Sequence, residues 1–204
     1  MSEPTLLYTF ADVSQLETMF NGPFLRGRRE GRVAFVGRSN VGKSSLINAL
    51  LGRKLAYVSS EPGKTRTINF YDWVNVSRIL VDLPGYGYAK QSQEDRNKWA
   101  KFIEAYLKAD EGLERVLILL DARHGPTDKD IDAIQFFSRL GVPLTFVMTK
   151  LDQVKTQSEK SKRKKEVEST LGKLRLSDSP IFWLTVNDKR TIQPLQKIFE
   201  ESNE

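Results

Sequence analysis

The chain has 204 residues, of which 39% are hydrophobic and 28% charged, so it has enough apolar material for the core of an ordinary soluble globular protein. It contains no cysteine and a single histidine, which excludes a disulfide framework and a thiolate metal site and disfavours a histidine-based zinc centre. The formal net charge of +6 is a mild indication of polyanionic partners.

Residues 1–30 are expected to form an N-terminal extension with one short helix around Val13–Phe20. The start, Met1-Ser2-Glu3-Pro4, lacks the basic residues and apolar run of a secretory signal. No apolar stretch approaches the length of a membrane span. We therefore expect a cytoplasmic protein. A basic cluster, Arg26-Gly27-Arg28-Arg29, comes just before the first core strand and is one candidate surface for RNA phosphates.

The segment Gly37–Ser44 fits the phosphate-binding pattern G-x-x-x-x-G-K-[ST], between an apolar strand at Arg32–Val36 and a good helix former. The glycines let successive backbone N–H groups point at one phosphate chain, and the helix N-terminus adds the positive end of its dipole. Lys43 can reach the β- and γ-phosphates, and the Ser44 hydroxyl can hold Mg²⁺. The predicted phosphate-binding residues of this loop are Gly37, Arg38, Ser39, Asn40, Val41, Gly42, Lys43, Ser44 and Ser45.

The loop Glu61–Thr67 occupies the place of a first switch segment, between the first helix and the second strand. A threonine there can coordinate Mg²⁺ through its hydroxyl and contact the γ-phosphate through its N–H group, and it is released when that phosphate leaves. Thr65 is the predicted residue and Thr67 is its rival. Gly63 and Lys64 are also predicted to contact the phosphates.

The strands Ile68–Val74 and Arg78–Val81 flank a short turn and are predicted to pair as an antiparallel hairpin. Asp82 and Gly85 follow the second of them as D-x-x-G. A carboxylate in this position can bind Mg²⁺ through a water molecule, and the Gly85 N–H group can approach the γ-phosphate.

The rest of the chain continues to alternate between helices and strands, which indicates a three-layer α/β fold with helices on both faces of a mostly parallel sheet. We predict six strands, one of them an antiparallel edge strand, in a single nucleotide-binding domain over residues 31–200, with a frayed tail at 201–204. The remaining predicted elements are helix Asp95–Ala109, strand Arg115–Leu120, a helix capped by Thr127 or Asp128 and running to Leu140, strand Val142–Met148, charged helix Ser158–Leu171, strand Ile181–Leu184, and helix Ile192–Phe199 with Pro194 in its first turn.

Thr149-Lys150-Leu151-Asp152 resembles the N/T-K-x-D element with which GTPases recognise guanine. Asp152 can accept hydrogen bonds from guanine N1–H and the 2-amino group, whereas adenine offers neither donor and would leave the carboxylate unpaired. The Lys150 stem can lie along the plane of the base. After the last core strand, Thr185 can replace a serine of the usual guanine loop, and the Val186 or Asn187 N–H group can face guanine O6.

These segments together resemble those of the EngB-type ribosome-biogenesis GTPases, in the TrmE–Era branch of translation-factor-like GTPases. The most family-specific part is the Gly-Tyr-Gly-Tyr-Ala run that begins at Gly85, and Thr149 is the usual residue of this family at its position. This chain departs from the family in the last guanine loop, where the family has a Ser-rich segment and this chain has Thr185. The matching segments are Gly37–Leu50, Pro62–Tyr71, Asp82–Lys90, Asp121–His124 and Thr149–Asp152.

The resemblance implies a GTP-binding protein with weak GTPase activity that depends on Mg²⁺ and assists maturation of the large ribosomal subunit and its rRNA, with a link to cell division. It implies that Lys43, Thr65 and Gly85 act at the γ-phosphate, and that Ser44, Thr65 and, through water, Asp82 hold Mg²⁺. In the TrmE-like branch an asparagine at the position of Asn40 helps to hold K⁺, although Asn40 can also serve only the loop geometry. The chain has no heptad run, so a monomer is the expected state.

Tyr86 stands where many switch GTPases carry the glutamine that orients the attacking water, and no arginine finger is evident, so we expect slow hydrolysis that needs a partner or an ion. Two alternatives remain: a GTP/GDP sensor with incidental hydrolysis, and an ATP-dependent phosphotransferase, which the Thr149–Asp152 segment disfavours. His124 receives no chemical role. Two further candidate RNA surfaces are Lys160–Lys165, unless it is a solvated helix face, and Tyr86 with Tyr88 and Lys90, unless the aromatic rings are ordinary packing.

Overall fold

The computed structural model describes residues 3–12, 14–15, 31–57, 67–87 and 92–200. The strands in these residues are β1 (Leu6–Phe10), β2 (Arg32–Gly37), β3 (Ile68–Trp73), β4 (Arg78–Asp82), β5 (Leu113–Asp121), β6 (Leu144–Thr149) and β7 (Ile181–Trp183). The helices are α1 (Lys43–Leu51), α2 (Gln93–Ala109), α3 (Asp128–Ser138), α4 (Gln157–Lys173) and α5 (Lys189–Glu200), and short 3₁₀ turns span Val74–Val76 and Leu151–Gln153.

The strands form one seven-stranded sheet in the order β1-β3-β4-β2-β5-β6-β7. Neighbours from β4 through β7 pair in parallel, whereas β3 is antiparallel to both β1 and β4. The predicted mostly parallel α/β fold is therefore confirmed. Because the parallel strands all point the same way, the loops that follow them meet at one rim of the sheet, where ligands of such folds bind.

The strand β1 was not predicted, and it makes the sheet seven-stranded rather than six-stranded. It comes from the segment that we assigned to the N-terminal extension, and it flanks β3, so β3 is not an edge strand. Leu6 and Tyr8 are exposed, whereas Phe10 is buried and makes an edge-to-face contact with Phe70 at 5.5 Å between ring centroids. A five-residue strand with most of its side chains exposed has too weak a hydrophobic pattern to be recognised alone.

The sheet separates two hydrophobic clusters, which confirms the predicted three layers. Alternate residues of β2 point to opposite faces, so Val33 and Phe35 join one cluster while Ala34 and Val36 join the other. Helices α1 and α5 cover the first face, with Leu46, Ile47, Leu50, Ile192, Leu195 and Phe199. Helices α2, α3 and α4 cover the second, with Phe102, Ile103, Tyr106, Ile134, Phe137, Val167 and Leu171.

A buried ion pair joins the start of β2 to the end of α2. The Asp110 carboxylate accepts hydrogen bonds from the Arg32 guanidinium, from the Tyr106 hydroxyl at 2.6 Å and from the Gly112 N–H group at 3.2 Å. The side chains of Arg32 and Asp110 are 8% and 0% exposed. Buried charges need such complete hydrogen bonding, so this cluster fixes α2 against the sheet.

Several predicted boundaries differ from the observed ones. Thr127 is the residue that caps α3, in a capping box with Asp130. Helix α5 begins at Lys189, so Pro194 lies inside it and not in its first turn as predicted. The predicted helix at Val13–Phe20 lies outside the described residues except for Ser14 and Gln15, which are helical. Among the described helices, none combines the length and the apolar character needed to cross a bilayer.

Candidate nucleotide-binding site

The phosphate loop joins the end of β2 to α1 with the backbone geometry of a phosphate-binding turn. Asn40 and Gly42 have positive φ angles of 62° and 99°. A Cβ atom on Gly37 would lie 2.7 Å from Cγ1 of Val41, so this position requires glycine. Among the described residues, no side chain caps the N-terminus of α1, which begins at Lys43. The first N–H groups of α1 can therefore donate to an anion.

Lys43 and Asp82, two of the predicted phosphate-site residues, are in direct contact. Both are buried, and the Lys43 ammonium donates to the Asp82 carboxylate at the end of β4. Burial lowers the pKa of the Lys43 ammonium to about 7, while the negative charge of the Asp82 carboxylate favours the protonated form of Lys43. A phosphate chain at this loop would favour the ammonium in the same way, so the site suits a polyanionic ligand.

Two of the three predicted Mg²⁺ ligands, Ser44 and Asp82, lie among the described residues. Their hydroxyl and carboxylate oxygens are the ligand types that Mg²⁺ prefers, and a nucleotide-bound Mg²⁺ needs only one or two protein ligands because phosphates and waters supply the rest. Within the described ranges there is no group of three or more His, Cys, Asp or Glu side chains that could hold a metal. The donor set therefore fits an ion that enters with a nucleotide.

Tyr86 is packed against α3 and does not project toward solvent. Its side chain is 7% exposed, and its hydroxyl donates to the Asp130 carboxylate at 3.0 Å. Burial and the charge of Asp130 raise the pKa of Tyr86 well above its ordinary value, so the hydroxyl remains a donor. Arg38 of the phosphate loop lies 3.8 Å from the same carboxylate. Asp130 thus connects the phosphate loop to the D-x-x-G segment.

Two further contacts anchor the segment Asp82–Gly87. The Trp99 indole N–H donates to the Pro84 carbonyl at 2.9 Å, and the Lys129 ammonium donates to the Gly87 carbonyl at 3.2 Å. The Tyr86 and Trp99 rings meet at 6.3 Å between centroids. For Tyr86 the interpretation as ordinary packing is therefore correct, and the prediction that it belongs to an exposed RNA-binding surface is wrong. Tyr88 and Lys90, the other members of that candidate surface, lie outside the described residues.

Thr149 connects the guanine segment to the phosphate loop. Its hydroxyl lies 2.6 Å from the Val41 carbonyl and 3.1 Å from the Leu120 carbonyl. The side chain is buried at the end of β6, where a donor without a partner would be destabilising. Thr149 therefore helps to position the phosphate loop.

Lys150 has a left-handed backbone conformation and reaches across the same rim. Its ammonium donates to the Asn40 carbonyl at 2.5 Å and to the Asp121 carboxylate at 3.0 Å. Asp121 also accepts hydrogen bonds from the Arg123 guanidinium, at 2.9 and 2.6 Å. Asp121 lies in one of the segments that resemble the family, but the sequence alone predicts no role for it. Its position as the last residue of β5, on the shared rim, is the signal that points to one.

Asp121 titrates far below the usual range. Burial alone raises the pKa of this carboxyl, but hydrogen bonds from Arg123 and Lys150 outweigh that effect and hold its pKa at about 2. Because this pKa lies below that of the unfolded chain, near 4, the stabilisation is complete above about pH 4 and disappears as the pH falls toward 2.

We therefore expect Asp121→Asn to lower the free energy of unfolding by roughly 2 kcal/mol at pH 7, since each pKa unit corresponds to about 1.4 kcal/mol. The difference from the wild type should shrink as the pH approaches 2. Urea unfolding of both proteins at pH 7 and pH 3 measures this change. A difference that stays constant between the two pH values would contradict the assigned role of the carboxylate.

The predicted guanine residues lie together beyond β6 and β7. Asp152 is exposed, and the Asn187 side-chain amide donates to its carboxylate at 3.4 Å. The Leu151 N–H group donates to the Leu184 carbonyl at 3.2 Å, which holds the two loops side by side. Thr185 is buried, and its N–H group donates to the Thr191 hydroxyl at 3.0 Å. The segment Thr185–Asn187, which includes Val186, therefore lies next to Asp152.

The predicted first switch lies mostly outside the described residues. Gly63, Lys64 and Thr65 belong to the undescribed segment 58–66, so their roles stay predictions. Thr67 is described and lies directly before β3, where its hydroxyl donates to the Asn69 side chain at 3.4 Å.

Comparison with known proteins points to a GTP-binding protein, as the phosphate and guanine segments do. A family model described as 50S ribosome-binding GTPase matches residues 32–150, from β2 to the start of the guanine segment. The Probable GTP-binding protein EngB of Thermotoga maritima is 52% identical over 137 residues, which are 67% of this chain and 69% of that protein. The protein of the same name from Clostridium botulinum is 48% identical over 170 residues, covering 83% of this chain and 84% of its own.

Solved structures share the fold at lower identity. A crystal structure of a probable GTP-binding protein EngB has a TM-score of 0.63 and 24% identity, covering 83% of this chain and 97% of that one. A structure of Era in complex with MgGDPNP and part of 16S ribosomal RNA has a TM-score of 0.64 and 24% identity, covering 83% of this chain and 56% of that one.

Proposed function

Because the chain belongs to the EngB family of GTP-binding proteins and is a GTPase, we propose that it assists assembly and maturation of the large ribosomal subunit as a GTP-dependent switch. The match to a family described as 50S ribosome-binding GTPase carries this proposal. The Era structure, which contains 16S ribosomal RNA, adds a fold relative with a ribosomal partner. The positive net charge of +6 is compatible with rRNA as a partner.

We assign the phosphate chemistry to the loop, Asp82 and the first switch. Lys43 moves its contact from Asp82 to the β- and γ-phosphates, and the N–H groups at the start of α1 donate to them. Ser44, Thr65 and, through water, Asp82 would hold a Mg²⁺ ion, which would offset charge that develops on the phosphates. The Gly85 N–H group contacts the γ-phosphate. Loss of this phosphate on hydrolysis therefore releases the D-x-x-G segment.

The position of Tyr86 supports slow intrinsic hydrolysis. A phenol whose hydroxyl is bound to Asp130 cannot orient an attacking water as a glutamine does. This observation also favours the second candidate function, a GTP/GDP sensor in which hydrolysis is incidental. A K⁺ ion held by Asn40 would supply some of the missing charge stabilisation, and equal turnover in K⁺ and Na⁺ buffers would exclude that role.

The same membership supports the remaining assignments that we propose. Residues 31–200 act as one GTP-binding domain, the protein is a cytoplasmic monomer, and guanine is bound by Thr149, Lys150, Asp152 and the segment Thr185–Asn187. A link to cell division would follow indirectly from impaired ribosome supply.

Turnover of GTP with and without purified large ribosomal subunits tests the switch proposal. We expect the particles to raise the rate at least tenfold and the protein to sediment with them when a non-hydrolysable GTP analogue is bound. The Lys43→Ala variant should remove turnover in both conditions. If the particles neither bind nor stimulate the wild type, the ribosomal role is wrong, whereas binding without stimulation supports the sensor.

A further inference from the structure

A shallow groove runs along α4, outside the nucleotide site, with a volume of about 510 Å³. Pro126, in the loop before α3, forms part of its wall, and α4 forms the rest. The α4 residues recur every three or four positions, so they form one stripe on the helix surface. The lining of this α4 groove consists of Pro126, Lys162, Lys165, Glu166, Ser169, Thr170 and Lys173.

The α4 groove carries positive charge that its surroundings do not neutralise. Lys162, Lys165 and Lys173 are exposed and form no ion pair with any residue that the structure describes. The acidic residue of the lining, Glu166, is paired with the Arg163 guanidinium. At 1.5 Å per residue the three lysines span about 16 Å of helix, enough to contact several successive phosphates. The three ammonium groups are therefore solvated and available to an external anion, and the solvated helix face remains the alternative interpretation.

We propose that the α4 groove binds the sugar–phosphate backbone of double-stranded RNA, an inference that rests on the proposed ribosomal function. The lining combines ammonium groups with the hydroxyls of Ser169 and Thr170, and among the described residues it contains no aromatic ring on which an unpaired base could stack. RNA helices are recognised mainly through phosphates and 2′-hydroxyls, whereas single strands are bound by stacking. Within the part of the chain that the structure describes, the lining also has no large apolar side chain that could enter a bilayer, which disfavours a lipid surface.

The α4 groove is connected to the guanine side of the nucleotide site. Arg163, on the flank of the stripe, donates to the backbone carbonyls of Arg123 at 2.7 Å and His124 at 2.8 Å. The Arg123 side chain is bound to Asp121, which also holds Lys150. RNA bound along α4 therefore lies against the loop that orients the guanine-segment lysine.

The test compares two triple variants with the same change in net charge. The groove variant replaces Lys162, Lys165 and Lys173 by glutamine. The control variant replaces Lys54, Lys101 and Lys197, three exposed lysines outside the lining and outside the Lys160–Lys165 cluster, by glutamine.

The probe is a fluorescein-labelled 20-base-pair RNA duplex, titrated at several salt concentrations. The groove variant should bind it roughly tenfold or more weakly at 0.1 M salt, and its plot of log K against log salt should be shallower by about two. The control variant should stay within about threefold of the wild type, and GDP affinity should be unchanged in all three proteins. Equal duplex binding by the groove variant and the wild type, or no duplex binding by the wild type, overturns the proposal.

Two further arms separate the possible errors. If the groove variant loses binding to phosphatidylserine vesicles but not to the duplex, the groove faces a membrane and the RNA assignment is wrong. If wild type and groove variant sediment equally with large ribosomal subunits, the groove is not the ribosomal contact although the proposed function stands. If the duplex binds through the groove but the subunits neither bind nor stimulate, the proposed function fails while the RNA site remains.

Discussion

The Asp152→Asn variant is expected to lose roughly two to four orders of magnitude in affinity for GTP and GDP. The Asp152 carboxylate is exposed at the rim of the sheet, beside the loop Thr185–Asn187. Its two oxygens match the N1–H and 2-amino donors of guanine, whereas an asparagine amide turns a donor toward one of them. Titration with a fluorescent GDP analogue in Mg²⁺, with ATP as competitor, measures both the affinity and the preference.

Asp188→Asn is the matched control for this experiment. It makes the same chemical change on a nearby carboxylate that Arg190 already engages at 2.8 Å. We expect its guanine affinity to stay within about twofold of the wild type. If Asp152→Asn behaves like this control, or if wild type and variant bind ATP as well as GTP, Asp152 is not the residue that recognises guanine.

The candidate phosphate and guanine residues can be proposed from the sequence because the residues of each set lie close together in short segments of the chain. The loop Gly37–Ser44 needs glycines, a lysine and a hydroxyl at fixed spacing, and the strand before it is continuously apolar. Parallel strands then bring Asp82, Thr149 and Thr185 to the same rim without further information.

The contacts that could not be predicted join residues far apart in the chain. The Tyr86 hydroxyl finds Asp130 only after α3 has packed on the sheet, so its local sequence resembles an exposed switch residue. Asp121 likewise acquires Lys150 as a partner from the loop that follows the neighbouring strand β6. Strand β1 depends on the edge of β3 for its hydrogen bonds, since its own side chains provide little burial. Tertiary contacts decide these positions, and local pattern does not.

Asp110→Ala is expected to lower the free energy of unfolding by about 3–5 kcal/mol, because it removes one member of a buried, directly hydrogen-bonded ion pair. The Tyr106 hydroxyl loses its 2.6 Å acceptor at the same time. For a domain with a typical total stability of about 5–15 kcal/mol this is a large fraction. Urea unfolding should show a lower midpoint with an unchanged slope, since the surface exposed on unfolding stays the same.

Glu114→Ala provides the contrast, because Glu114 is paired with a buried arginine but is itself more exposed. Its carboxylate accepts from Arg78 at 2.8 Å and is 40% exposed, whereas the Asp110 side chain is 0% exposed. Arg78 also donates to the Ser77 carbonyl at 3.2 Å, so it keeps a partner when Glu114 is removed. We expect a loss of about 1 kcal/mol for this variant. Equal losses for the two variants would show that the Arg32–Asp110 pair gains nothing from its burial, and α2 would then be held to the sheet by apolar packing alone.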